Sequence, residues 1–300
     1  MDVAVPPPAG GAAARGNADR MIPNIRVNSD LVLVPVLVTD REDRLITGLD
    51  KQHFKVFDDK VEQEITAFTS EDAPVSIGLV FDCSGSMGSK LKNSRAAVSQ
   101  FLRAANPEDE FSLVTFNNHA RLVIPFTDRI EEIENRLMFI SPDGRTALLD
   151  AIYLSLNEMK HARNPRKAIL IISDGGDNCS RYSTREVKNC IRESDVQIYS
   201  IGILEPWGIR DRSPEELAGP ALLSEIAKLT GGRLFEVYDL NDLRGVAGKV
   251  GAALRNEYIL GFAPGQMKHD GKYHRIQVKL DPPKGLPALR ASFRSGYYGR

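Results

Sequence analysis

Five oxygen-bearing side chains have types and positions that suit a hard divalent cation: Asp82, Ser84, Ser86, Thr146 and Asp174. Two carboxylates supply negative charge and three hydroxyls supply neutral oxygens. Mg²⁺ takes oxygen donors at about 2.0–2.1 Å and keeps several waters. Two carboxylates only neutralise a dication. A metal bound partly through water therefore stays electrophilic and can take a carboxylate from another molecule. Mn²⁺ and Ca²⁺ accept the same donors. No histidine or cysteine cluster competes, which argues against zinc.

The five residues come from three pieces: Asp82-Cys83-Ser84-Gly85-Ser86, Gly144-Arg145-Thr146 and Ser173-Asp174-Gly175. Alternation in the first piece puts its side chains on one side of a loop. Gly85 and Gly88 permit a tight path there, and Gly175 and Gly176 do the same beside Asp174. Alone, the first piece reads as a polar turn after a strand; the ordered set points to metal. Asp143 and Asp177 read as loop-solvated neighbours. His119 and His161 read as surface or capping residues. Trp207 lies in a Pro/Gly-bounded insertion and reads as part of a packed loop.

These pieces need elements to position them. Val75–Phe81, Phe111–Phe116, Ala168–Ile172 and Ile198–Ile203 are apolar runs, and Ala120–Phe126 reads as a further strand. Helical segments are expected at about 90–105, 130–138, 147–161, 184–194, 215–230 and 240–255. Unbroken apolar runs suit strands covered on both faces. The alternation predicts a doubly wound, mostly parallel α/β sheet, whose ligands sit outside the carboxyl ends of the strands. Asp82 and Asp174 fall at such ends, and the Thr146 loop can reach the same edge.

The ends of the chain differ. Residues 1–22 are rich in Pro, Ala and Gly and read as a disordered tail. Residues 23–72 and 256–300 are β-rich. Their strands are expected at Leu31–Val38, around Phe54–Phe57, Val61–Phe68, Tyr258–Phe262, Tyr273–Leu280 and Leu289–Phe293. Pro35 marks an edge strand or a bulge. The two ends are expected to form one small β-sandwich around an α/β domain at 73–255.

With 300 residues, 42% apolar, 26% charged and a net charge of −1, the chain has the profile of a soluble globular protein. Nothing in the charge points to nucleic acid. No stretch approaches the roughly 20 apolar residues of a membrane span. The N-terminus lacks the basic start and apolar run of a signal peptide. The chain as written reads as cytoplasmic, or as secreted or periplasmic if a signal segment precedes it. Three cysteines exclude a full disulfide framework and read as free thiols, with a Cys179–Cys190 bridge as the alternative.

The combination Asp82-x-Ser84-x-Ser86, Thr146 and Asp174 resembles the metal-ion-dependent adhesion site of von Willebrand factor type A domains and integrin inserted domains. The resemblance covers about 73–254. It implies a Rossmann-like sheet with helices on both sides. The serines and the threonine would contact the metal, the aspartates would bind directly or through water, and a partner's acidic side chain would complete the shell. Many family members have Gly-Gly-Thr where this chain has Gly144-Arg145-Thr146, which puts a cation beside the site. Phe54–Phe68, Glu257–Phe262 and Arg294-Ser295-Gly296-Tyr297-Tyr298 resemble a bacterial group of such proteins from Acidobacteria, whose members are often exported.

The expected function is metal-dependent protein binding, in adhesion or interaction, to a partner with an exposed Asp or Glu. The alternative is an accessory subunit of a larger assembly, either ATPase-coupled or secretory. A metal-dependent phosphohydrolase has least support. No second aspartate stands two positions after Asp82, no glycine-rich loop carries a phosphate-binding lysine, and no histidine base lies near the motifs.

Overall fold

The computed structural model of the chain describes residues 31–204, 214–264 and 270–299. The tail expected at 1–22 and the Trp207 insertion lie outside these residues. In chain order the elements are β1 (Val32–Thr39), β2 (Phe54–Asp58), β3 (Val61–Gln63), β4 (Ala67–Thr69), β5 (Val75–Asp82), α1 (Leu91–Arg103), β6 (Glu110–Phe116), β7 (Ala120–Thr127), α2 (Ile130–Met138), α3 (Leu148–Glu158), β8 (Arg166–Ser173), α4 (Thr184–Glu193), β9 (Gln197–Ile203), α5 (Pro214–Leu229), β10 (Leu234–Val237), α6 (Leu243–Arg255), β11 (Tyr258–Phe262), β12 (Tyr273–Leu280), β13 (Arg290–Phe293) and β14 (Gly296–Tyr298).

Six strands form the central sheet in the order β10-β9-β8-β5-β6-β7. Every neighbouring pair is parallel except β6–β7 at the edge. Successive side chains of a strand point to opposite faces. Leu79, Phe81, Leu113, Leu170 and Ile172 accordingly share one core with α1, α2 and α6. Val80, Val114, Phe116, Ile169 and Ile171 share the other with α3, α4 and α5. Each fully buried aliphatic side chain contributes about 1.5–3 kcal/mol, so both faces must be covered for the strands to persist.

The strand order creates a crevice. After β5 the chain moves to β6 on one side, and after β8 it moves to β9 on the other. The intervening helices, α1 and α4, lie on opposite faces. The carboxyl ends of β5 and β8 thus flank a topological switch point, where doubly wound sheets bind ligands.

The two ends of the chain build antiparallel sheets in the orders β13-β1-β11-β4 and β14-β12-β2-β3. Val34, Val36 and Leu260 of the first share one core with Phe54, Val56, Ile276 and Val278 of the second. Because β1 pairs with β11 and β2 with β12, strands from before and after the α/β layer interleave in this sandwich. Glu257 joins the layers. It is fully buried between α6 and β11 and accepts hydrogen bonds from Arg166 at 2.9 Å, Gln197 at 2.8 Å and the Tyr199 hydroxyl at 2.6 Å.

Several expectations are corrected. β1 is an interior strand, not an edge. Its ladder with β13 spans only Val36–Thr39, so Pro35, which has no N–H, lies just outside that ladder. The run Val61–Phe68 is two strands, β3 and β4, because the chain leaves one sheet for the other between them. β10 and β14 carry too few residues to announce themselves. The three cysteines, by contrast, are free, as expected.

Candidate metal centre

Asp82 ends β5, and Asp174 directly follows β8. The register pairs Phe81 with Ile172, which brings Asp82 beside Ser173 across the switch point. Both aspartates are buried. Asp82 Oδ1 accepts the Ser84 N–H at 2.8 Å, and Oδ2 accepts the Ser173 hydroxyl at 2.5 Å. Burial, and then the charge of Asp174, push the Asp82 carboxyl up to about 7. Asp174 Oδ2 accepts the Lys90 ammonium at 2.9 Å, whereas its buried Oδ1 meets no hydrogen-bond donor.

Ser84 and Ser86 lie on the turn that leaves β5. Gly85–Met87 forms one 3-10 turn, pinned by the fully buried Met87. The two serine hydroxyls are 3.1 Å apart. Cys83 faces away, its thiol donating to the Phe116 carbonyl at 3.1 Å, and burial pushes that thiol up to about 11.

Thr146 is buried on a third loop that is tied to the other two. The Asp143 N–H donates to Cys83 O at 2.9 Å, and the Gly85 N–H donates to Gly144 O at 3.0 Å. Gly144 has φ +77, and a Cβ there would sit 2.4 Å from the Asn118 side chain. Asn118 Oδ1 accepts the Arg145 N–H and Asn178 Oδ1 accepts the Thr146 N–H, each at 2.9 Å. The exposed Arg145 guanidinium donates to Asn178 O, so it reaches across the loop. Gly175 has φ +91, and a Cβ on it would fall 2.7 Å from the Gly219 backbone. Gly85 and Gly88 do not take positive φ, and a Cβ on Gly85 would lie 3.3 Å from the Gly144 carbonyl oxygen, so the path there is tight.

The structure thus joins Asp82, Ser84 and Ser86 through hydrogen bonds and places Asp174 close enough to perturb Asp82. The loop of Thr146 is docked on both sides. These residues fit a hard cation: the donors are all oxygens, two are carboxylates, and one carboxylate oxygen is buried without a donor.

Residues that position the site escaped the sequence reading. Asp177 is not merely solvated: its Oδ1 accepts the Leu149 N–H at 3.1 Å and the Ser180 hydroxyl at 2.5 Å, which caps α3 from another loop. Asn118, Asn178 and Lys90 gave no signal, since their partners are distant in sequence.

The sandwich holds a second group, Asp58, Asp59 and His274, whose ligand-type atoms lie within 4.8 Å of one another. The His274 ring meets Asp59 at Nδ1, 2.8 Å away, and Asp270 at Nε2, 3.0 Å away. The ring thus meets a carboxylate through each of its nitrogens. It ties the turn after β2 to β12.

Residues 77–176 match the model of the von Willebrand factor type A domain. A protein of Borreliella burgdorferi is 28% identical over 188 residues, which are 56% of this chain and 55% of that protein. Inter-alpha-trypsin inhibitor heavy chain H2 of Sus scrofa is 31% identical over 147 residues, 43% of this chain and 16% of the heavy chain. The chain therefore spans about half the length of the first relative and a small part of the second. The solved structure of a von Willebrand factor type A protein from Catenulispora acidiphila has a TM-score of 0.52 at 14% identity, covering 90% of this chain and 75% of its own. That likeness is one of fold. No helix of the described residues is long and apolar enough to cross a membrane.

Proposed function

We propose that the α/β layer, whose residues 77–176 match the von Willebrand factor type A domain, binds Mg²⁺ through Asp82, Ser84, Ser86, Thr146 and Asp174 to hold an acidic side chain of a protein partner. The supporting observation is Asp174 Oδ1, a buried carboxylate oxygen without a donor, set beside a second buried carboxylate at the switch point. Leaving such an oxygen uncompensated is costly, and a cation removes the cost.

Each residue has a task in this reading. The two carboxylates supply charge, and the three hydroxyls supply neutral oxygens that leave the metal electrophilic. When bound, the cation provides a positive centre for a carboxylate from outside. Arg145, exposed beside Thr146, adds positive charge at the rim and favours an acidic partner. Residues 73–255 are the binding unit in this proposal, framed by 23–72 and 256–300.

Calorimetric titration with Mg²⁺ tests the metal. Binding to the wild type that is lost in Asp82→Asn and Asp174→Asn is expected. A wild type that takes up no Mg²⁺ or Mn²⁺ overturns the proposal. A pull-down in Mg²⁺ tests the partner: proteins released by EDTA and not retained by Asp174→Asn are expected, and retention that survives EDTA counts against it.

A further inference from the structure

Lys90 stands where a lysine is least comfortable. It is the residue immediately before α1, and that helix has no acidic residue in its first turn. A helix N-terminus carries a partial positive charge and disfavours a cation. The side chain is also buried, with 10% of its surface exposed. A buried ammonium at the positive end of a helix needs a strong compensating partner. Asp174 is that partner, at 2.9 Å and 8% exposed. The position is rigid, because the Lys90 N–H donates to Met87 O at 3.0 Å and the Lys90 carbonyl accepts both the Ser94 N–H and its hydroxyl.

Lys90 therefore joins the turn bearing Ser84 and Ser86 to the loop bearing Asp174. It engages only Oδ2 and leaves Oδ1 without a donor. Its single charge offsets one of two buried carboxylates.

We propose, resting on the metal reading above, that Lys90 is a resident counter-cation. Its ammonium neutralises Asp174 in the metal-free protein and lowers the affinity of the site for a dication. Metal loading is then an exchange of charge partners on Asp174, not the filling of an electrostatic void. The domain stays folded without metal, and the metal must compete for its place.

The test compares wild type, Lys90→Met, Lys90→Gln and Lys90→Arg, with Mg²⁺ alone as the probe in calorimetry and thermal unfolding in EDTA as a second readout. Lys90→Met removes the charge and keeps the apolar stem. Lys90→Gln also keeps a donor for Asp174, which covers failure of the first variant to fold. Removing one like charge beside a buried dication is expected to tighten Mg²⁺ binding by about tenfold or more. The same variants are expected to melt at lower temperature in EDTA and to recover more than the wild type when Mg²⁺ is added. Lys90→Arg is expected to keep wild-type affinity. Equal or weaker Mg²⁺ binding by Lys90→Met or Lys90→Gln, with the wild type binding normally, overturns the counter-cation role alone. Absence of Mg²⁺ binding in all four proteins overturns the metal reading and this role with it.

Discussion

Ser173 donates its hydroxyl to Asp82 at 2.5 Å, from the end of β8 to the end of β5. The same oxygen accepts the Gly175 N–H at 2.9 Å. One hydroxyl thus links a buried carboxylate to the loop that carries Asp174. In Ser173→Ala, Asp82 Oδ2 loses a donor inside the protein. Stability in EDTA is expected to fall by about 1–3 kcal/mol. Urea unfolding measures it, and an unchanged midpoint would show that the hydroxyl is dispensable.

The raised Asp82 carboxyl makes metal-free stability depend on pH. Its folded value of about 7 exceeds its ordinary value of 3.8. The folded state therefore keeps a proton that the unfolded chain has released. The associated stability is complete below about pH 4 and is lost as pH rises to about 7. In EDTA the wild type is expected to lose stability across that window relative to Asp82→Asn. A constant difference between the two proteins from pH 4 to 7 would contradict this account.

Arg166 and Glu257 form an ion pair at 2.9 Å, with Glu257 fully buried. Arg166→Met strands a buried carboxylate and is expected to cost about 3–5 kcal/mol. Adding Glu257→Gln removes the charge while keeping hydrogen-bonding atoms for Tyr199 and Gln197, so the double variant should regain most of the loss. Chemical unfolding of the pair of variants decides it: a double variant no more stable than Arg166→Met would show that charge is not what matters there.

Gly175 and Gly271 separate two effects of glycine. Both have positive φ, but a methyl on Gly175 strikes the Gly219 backbone whereas one on Gly271 meets nothing. Gly271→Ala is expected to cost about 1 kcal/mol, from conformation alone. Gly175→Ala is expected to cost more and to weaken Mg²⁺ binding, since the clash moves the residue next to Asp174. Thermal unfolding and calorimetry report the two. Equal losses in both variants would remove the packing argument.

The central layer was legible because its signal is local. Apolar runs such as Ala168–Ile172 must be covered on both faces, and the amphipathic segments between them supply the cover. The strand-end positions of Asp82 and Asp174 followed from that alternation. What escaped depends on distant pairing. β10 has four residues, of which only Val237 is buried, and becomes a strand because it lies beside β9. The split of Val61–Phe68 needs two different sheets to be present. Asn118 and Asn178 matter because their side chains hold the backbone of Arg145 and Thr146, a relation no spacing encodes. Lys90 read as the ordinary start of a helix, and its importance lies 84 positions away.

The interleaved strands have a mechanical consequence. β11 takes the chain out of the α/β layer and runs antiparallel to β1, with Val32 opposite Phe262 and Val36 opposite Tyr258. A load applied at the switch point draws β11 by its first residue. An anchor on the chain ahead of β1 draws β1 by its own first residue, at the opposite end of the ladder. The two strands are then sheared lengthwise, and their hydrogen bonds share the tension instead of parting one after another like a zip. The sandwich thereby meets a pull between the α/β layer and the residues ahead of β1 as a shear joint.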